Sequence, residues 1–201
     1  MDTVRALLDK AGRTYADQAG ITLADKPAPL YRLLVLSTLL SAPVQADLAI
    51  AAARELKTFG TARKMADSTW RQRVDALGRA HYVRYDESTA TALGDGATLL
   101  VADHGGDLRK LRGDTLAAEL RKFPRLGPAG VDIFCREAQA VWPELRPYLD
   151  EKTLDGAKKI GLPTDPEKLA DLAPKRDLPR LAAALVRVSL DKKLADAVRA
   201  A

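Results

Sequence analysis

Apolar residues recur at three- and four-residue intervals along most of the 201-residue chain, and no stretch sustains the alternation of a strand, so the pattern predicts an all-α protein. Val4, Leu7, Leu8 and Ala11 form a stripe in a helix over Asp2 to Tyr15. A polar linker is expected from Ala16 to Pro29. Leu30 to Leu40 is apolar on nearly every side, the pattern of a central core helix. Further helices are expected over Asp47 to Phe59 and Thr61 to Ala66. Another spans Trp70 to Leu77, capped from Asp67-Ser68-Thr69 and ended by Gly78. Asp86 to Ala102 reads as a helix with bends at Gly94 and Gly96. Beyond the turn His104-Gly105-Gly106-Asp107, Asp114 is placed to cap a helix over Thr115 to Phe123. Val131 to Val141 turns Ile133, Phe134, Ala138 and Val141 inward. Leu149 to Ile160, Glu167 to Ala173 and Leu178 to Ala200 complete the set.

The sharpest interruption in the periodicity is Phe123-Pro124-Arg125-Leu126-Gly127-Pro128-Ala129-Gly130. Proline cannot continue the incoming helix, glycine frees the turn, and Pro128 suits the first position of the next helix. A helix beginning there offers unpaired amides and a positive dipole end to an anion such as phosphate. The same residues also read as a plain connector between two core helices.

Composition narrows the possibilities. An apolar fraction of 47% suffices for a real core in one large domain or two small ones. The single cysteine, Cys135, excludes an internal disulfide or a four-cysteine metal site, and reads as a buried structural thiol. Two histidines leave little for a metal cluster, and no apolar run approaches a membrane span. The N-terminal residues Asp2, Arg5 and Asp9 do not fit a signal peptide, and a cytoplasmic monomer without membrane attachment is expected. The net charge of +5 is unevenly spread: Leu48 to Tyr85 holds eight Lys/Arg against three acids, and Arg109 to Pro128 six against two. Asp86 to Asp107 has five acids and no Lys or Arg. That arrangement suits one basic face for a polyanion, or solvated helix faces that happen to be basic.

Four segments, in one order, resemble the HhH-GPD superfamily of DNA glycosylases, the endonuclease III-like proteins of base-excision repair. Leu39-Leu40-Ser41-Ala42 resembles that family's helix-to-loop junction near the flipped base. Leu77-Gly78-Arg79-Ala80-His81-Tyr82 resembles its Gly-x-x-aromatic segment. Phe123 to Gly127 resembles the hairpin Leu-Pro-Gly-Val-Gly. Leu149-Asp150 with Ile160-Gly161-Leu162 resembles the catalytic segment. The resemblance implies two helical lobes with a cleft between them: residues 28–135, a middle barrel with most of the helix-hairpin-helix, and 1–27 plus 136–201 from both chain ends. It implies double-stranded DNA as partner, a base turned out of the stack, and Asp150 as the catalytic carboxylate stabilising positive charge on the sugar.

On the same basis Pro124, Arg125, Leu126, Gly127, Pro128, Ala129 and Gly130 would hold the DNA backbone, with Gln45 and Arg84 as further contacts. Ser41, His81 and Tyr82 would line the base pocket, with Tyr85 beside them. Gln45 would fill the gap left by the flipped base, and Lys152, two residues beyond Asp150, would stand as a substitute amine. Bland readings stand next to these: Asp150 as a helix N-cap, Gln45 as a loop-surface residue, the aromatics as core, Lys152 as a solvated lysine. Three departures are plain. Ala129 occupies the position where bifunctional members carry lysine, so no Schiff-base lyase step runs through it. Arg125 replaces the first hairpin glycine. Asp191 to Ala201 has no cysteine, so no iron–sulfur cluster is implied; no cofactor is expected beyond at most a monovalent cation at the hairpin. The expected function is therefore a monofunctional DNA glycosylase hydrolysing a damaged or mismatched base. A non-catalytic DNA-binding relative is the alternative, and a helical scaffold the third.

Overall fold

The computed structural model describes residues 2–201, whose regular secondary structure is all helical, with no strand among the described residues. The helices are α1 (Asp2–Ala11), α2 (Tyr15–Gln18), α3 (Pro27–Leu40), α4 (Ala46–Glu55), α5 (Ala62–Asp67), α6 (Trp70–Arg79), α7 (Asp86–His104), α8 (Leu116–Leu120), α9 (Pro128–Ala138), α10 (Glu151–Lys159), α11 (Pro166–Ala170), α12 (Leu178–Leu190) and α13 (Lys192–Arg199). They sort into two compact units, one of Gln18–Phe134 and one of residues up to Asp17 with Cys135–Ala201.

The first unit is organised on α3, which buries Leu30, Leu33, Leu36 and Leu39. Helix α6 starts with a capping box in which the Thr69 hydroxyl accepts from Gln72 N and the Gln72 side chain accepts from Thr69 N. It runs through Gly78 to Arg79, and the left-handed residue that ends it is His81 at φ 60°. Helix α7 is continuous over 19 residues, so Gly94 and Gly96 are not bends. Gly94 allows close approach, since a Cβ there would collide with the Arg73 guanidinium, whereas one at Gly96 would make only ordinary contact with Phe123 and Pro124. Buried Arg73 donates to the carbonyls of Ala90 (2.7 Å) and Ser68 (2.7 Å), joining α5, α6 and α7.

Residues 16–29 are not a free linker. Ala16, Ala19 and Ile21 are buried, α2 begins at Tyr15, and α3 begins at Pro27. The expected helix over Thr115 to Phe123 shrinks to five residues. Its N-cap is Thr115 without a side-chain bond, and its last amides fold back to carbonyls three residues earlier, Lys122 to Glu119 and Phe123 to Leu120.

The second unit packs α10 and α1 on α12, around Leu7, Ala157, Leu181, Leu185 and Val188. Gly156 permits α10 to lie against α12, since a Cβ there would collide with the Leu185 carbonyl. The single helix expected over Leu178 to Ala200 is two, because the Asp191 carboxylate accepts from Lys193 N and Leu194 N and caps α13. No described helix is long and apolar enough to cross a membrane.

Candidate functional site

The interruption between α8 and α9 is a tight hairpin. Phe123 and Leu126 are buried and anchor it, while Arg125, Gly127, Pro128 and Ala129 are exposed and Pro124 is half-buried. Arg125 takes φ 63°, the left-handed conformation that glycine adopts freely and other residues only at a cost. The Arg125 side chain does not hang free: Nη1 donates to Ser88 Oγ, and the guanidinium lies 5.6 Å from the Tyr85 ring centre, on whose ring Arg84 also rests at 5.2 Å. Leu126, counted among the DNA contacts, is buried as a whole residue and its N–H donates to Phe123 O at 3.2 Å, so it anchors the turn from inside and does not face a ligand.

The glycine that space demands is Gly130. A Cβ there would lie 2.5 Å from Ser41 Oγ and 2.7 Å from Leu126 Cδ1, so this residue lets the start of α9 approach the end of α3. Ser41 is half-buried at the C-cap of α3 and donates to Ser37 O at 2.6 Å. Gly127 has open space around its Cβ position. Helix α9 follows at once with Pro128 in its first turn, and Val131 N closes on Gly127 O. Pro128 has no N–H, Ala129 is exposed and Gly130 is buried, while Arg121, Lys122 and Arg125 on the chain leading into the helix are exposed, Lys122 paired with Glu119 at 2.7 Å.

Other sequence candidates scatter. Gln45 is exposed at the N-cap position of α4 and its side chain makes no cap bond. His81 is exposed in its strained turn, whereas Tyr82 is buried, its hydroxyl 3.5 Å from Thr89 Oγ1, as a core aromatic is. The basic stretch Leu48 to Tyr85 is partly consumed internally: Arg73 is in the core, Arg79 pairs with Glu55 at 2.8 Å and Arg71 with Asp75 at 3.1 Å. Those surface pairs are weak enough to exchange for phosphate.

Asp150, in the second unit, stands at the N-cap position of α10, yet its carboxylate makes no cap bond; Thr153 Oγ1 donates to its main-chain carbonyl instead. The carboxylate is committed elsewhere. Arg136 Nη1 donates to Asp150 Oδ2 at 2.6 Å, with the two side chains 9% and 11% exposed. Oδ1 is buried and has no hydrogen-bond partner among the described residues. The segment before Asp150 is clamped by buried Gln139, whose amide donates to Tyr148 O and accepts from Tyr148 N, at 3.1 and 3.0 Å. Arg146 Nε donates in turn to Gln139 O.

Sequence reading missed Arg136, Glu137 and Gln139, three buried polar residues at the end of α9 and just beyond, and it placed Ile133 and Val141 inside where both are half-buried. Glu137 had a signal, since it falls three residues after Phe134 and four before Val141, on the apolar stripe itself. Its carboxylate accepts from Tyr15 N (2.8 Å) and Ala16 N (3.1 Å), receiving the first amides of α2. Arg187 stacks over Tyr15 at 4.3 Å. Burial pushes the Glu137 carboxyl above its ordinary value, against the pull of those two amides and of Arg187. Cys135 is buried, as a structural thiol would be. Lys152 is exposed on α10.

No protein-family model matches the chain, and no curated protein matches it either. Solved structures do. The chain is similar to a trapped endonuclease III–DNA covalent intermediate in an estranged-adenine complex, with TM-score 0.52 and 14% identity over 91% of this chain and 83% of that one. It is equally similar to a non-covalent endonuclease III–DNA complex, again at TM-score 0.52 and 14% identity, over 91% and 82%. At this identity the likeness concerns the fold: the chain is an all-α protein with the fold of these endonuclease III structures.

Proposed function

We propose that this protein binds duplex DNA through the hairpin 124–130 and acts in base excision as a monofunctional glycosylase. The observation that carries the proposal is the hairpin. Arg125 at φ 63° preserves a glycine turn, and Gly130 seats the start of α9 against Ser41, in a fold whose solved relatives are DNA complexes. The exposed residue Ala129 in the first turn of α9 and the exposed cations Arg121, Lys122 and Arg125 suit a phosphate backbone.

For the chemistry, Asp150 is the carboxylate that the resemblance singles out. Breaking an N-glycosidic bond builds positive charge on the sugar, which a carboxylate stabilises while water adds. With Ala129 where a lysine would stand, the reaction ends at hydrolysis, leaving an abasic site. The test is incubation with duplexes carrying uracil, thymine opposite guanine, oxidised guanine or alkylated adenine, followed by alkali. Cleavage of one of them, lost in Asp150→Asn with duplex binding intact, is the expected result. Silence across all four with salt-sensitive binding retained would remove the glycosylase assignment.

The Arg136–Asp150 pair favours a second reading. A carboxylate tied to a buried guanidinium is part of a neutral pair and exerts a weaker field on a cation than a lone carboxylate does. In that reading the protein is a non-catalytic DNA-binding relative, its affinity unaffected by Asp150→Asn.

A further inference from the structure

The geometry points to Arg136 as a positioning residue that holds Asp150 by one oxygen and leaves the other, Oδ1, as the acceptor for a cationic sugar. The inference rests on the reading of Asp150 as the acting carboxylate. Three observations carry it. Arg136 Nη1 donates to Oδ2 at 2.6 Å, a charge-assisted bond that restrains the carboxylate. Oδ1 is buried without a partner among the described residues, a state that costs free energy and that a purely structural aspartate at an N-cap position would relieve by bonding the amides of its own helix. The main chain leading to Asp150 is fixed as well, because the Gln139 amide, held to Arg136 O at 2.9 Å, reads both the N–H and the C=O of Tyr148. One stretch of α9 and its continuation thus fixes both the backbone and the side chain of the same aspartate, with one oxygen left over.

This arrangement has a physical logic. A carboxylate that must reorient during the reaction loses part of its stabilising effect to that reorganisation, whereas one already held delivers it in full.

The test needs no knowledge of the lesion. The full chain is titrated with two duplexes that differ at one nucleotide: a pyrrolidine abasic analogue, which carries a positive charge where the sugar cation forms, and a neutral tetrahydrofuran analogue. The wild type is expected to prefer the pyrrolidine duplex by at least tenfold, and Asp150→Asn to abolish the preference. Arg136→Gln should lower it threefold or more, the loss of fixed geometry outweighing the stronger field of a carboxylate freed from its cation, with affinity for the tetrahydrofuran duplex kept within twofold, and Arg136→Lys should restore part of it. A preference that rises in Arg136→Gln would show that the guanidinium only screens the carboxylate and would overturn its positioning role. If Arg136→Gln does not fold, Arg136→Lys decides: a preference reduced threefold or more supports the inference. A wild-type preference that Asp150→Asn removes but both Arg136 variants keep in full overturns the role of Arg136 and leaves that of Asp150 standing. No preference in the wild type means that Oδ1 is closed to the sugar, and overturns both.

Discussion

Arg136 and Asp150 are each about nine-tenths buried, and an ion pair so placed is worth most as a pair. Removing one partner strands a buried charge, so Arg136→Met should destabilise the protein by about 3–5 kcal/mol in urea unfolding. Arg136→Met combined with Asp150→Leu should cost clearly less than the two single changes added together; strict additivity would show that the groups do not sense each other. Arg125 poses the opposite case, an exposed residue in a backbone conformation that costs a non-glycine residue about 1–2 kcal/mol. Arg125→Gly relieves that strain but gives up the Ser88 bond and the Tyr85 contact, so stability should change by less than about 1 kcal/mol. Affinity for duplex DNA should nevertheless fall, with a salt slope shallower by about one if Arg125 meets a phosphate. An unchanged slope would place Arg125 outside the interface.

Among the elements, α10 and α12 show how a residue that weakens a helix in isolation can be the one its packing requires. Gly156 lowers the helical propensity of α10, yet a methyl group there would be driven into the Leu185 carbonyl. Gly156→Ala should therefore cost about 1–3 kcal/mol, where propensity alone predicts a gain of roughly 1 kcal/mol. The sign of the shift in the urea midpoint separates the two. The break between α12 and α13 depends on a single cap, and Asp191→Ala should lose about 0.5–2 kcal/mol through the exposed amides of Lys193 and Leu194.

For the molecule as a whole, the pH dependence of stability carries a signature from Glu137. Its carboxyl is pushed above the ordinary 4.5 by burial, so the folded state keeps this proton to a higher pH than the unfolded chain does. The contribution of Glu137 to stability is then full below about 4.5 and is lost as pH rises through the folded value. Glu137→Gln removes that loss, so the variant should gain on the wild type as pH rises across this window. Urea midpoints collected between about pH 4 and 8 provide the comparison, and parallel curves would show that Glu137 does not titrate in this way.

Helical class, the core helix at Leu30 to Leu40 and the hairpin at Pro124 to Pro128 were all legible in the sequence, because each depends on local chemistry: apolar period, proline without an N–H, glycine or its replacement at a turn. The fold likeness to the endonuclease III structures was also expected from the sequence. Tertiary structure decided the rest. It assigned Gly94, Gly130 and Gly156 to close contacts with residues far along the chain, which no local pattern reports. It also placed Arg136, Glu137 and Gln139 in the interior, where each buried polar group needs a partner and those partners lie as far away as Tyr15 and Asp150. Sequence alone singled out Asp150 as a carboxylate of interest. Only the fold could show that one of its oxygens is already held by Arg136, because that contact depends on where α9 and the start of α10 come together in space.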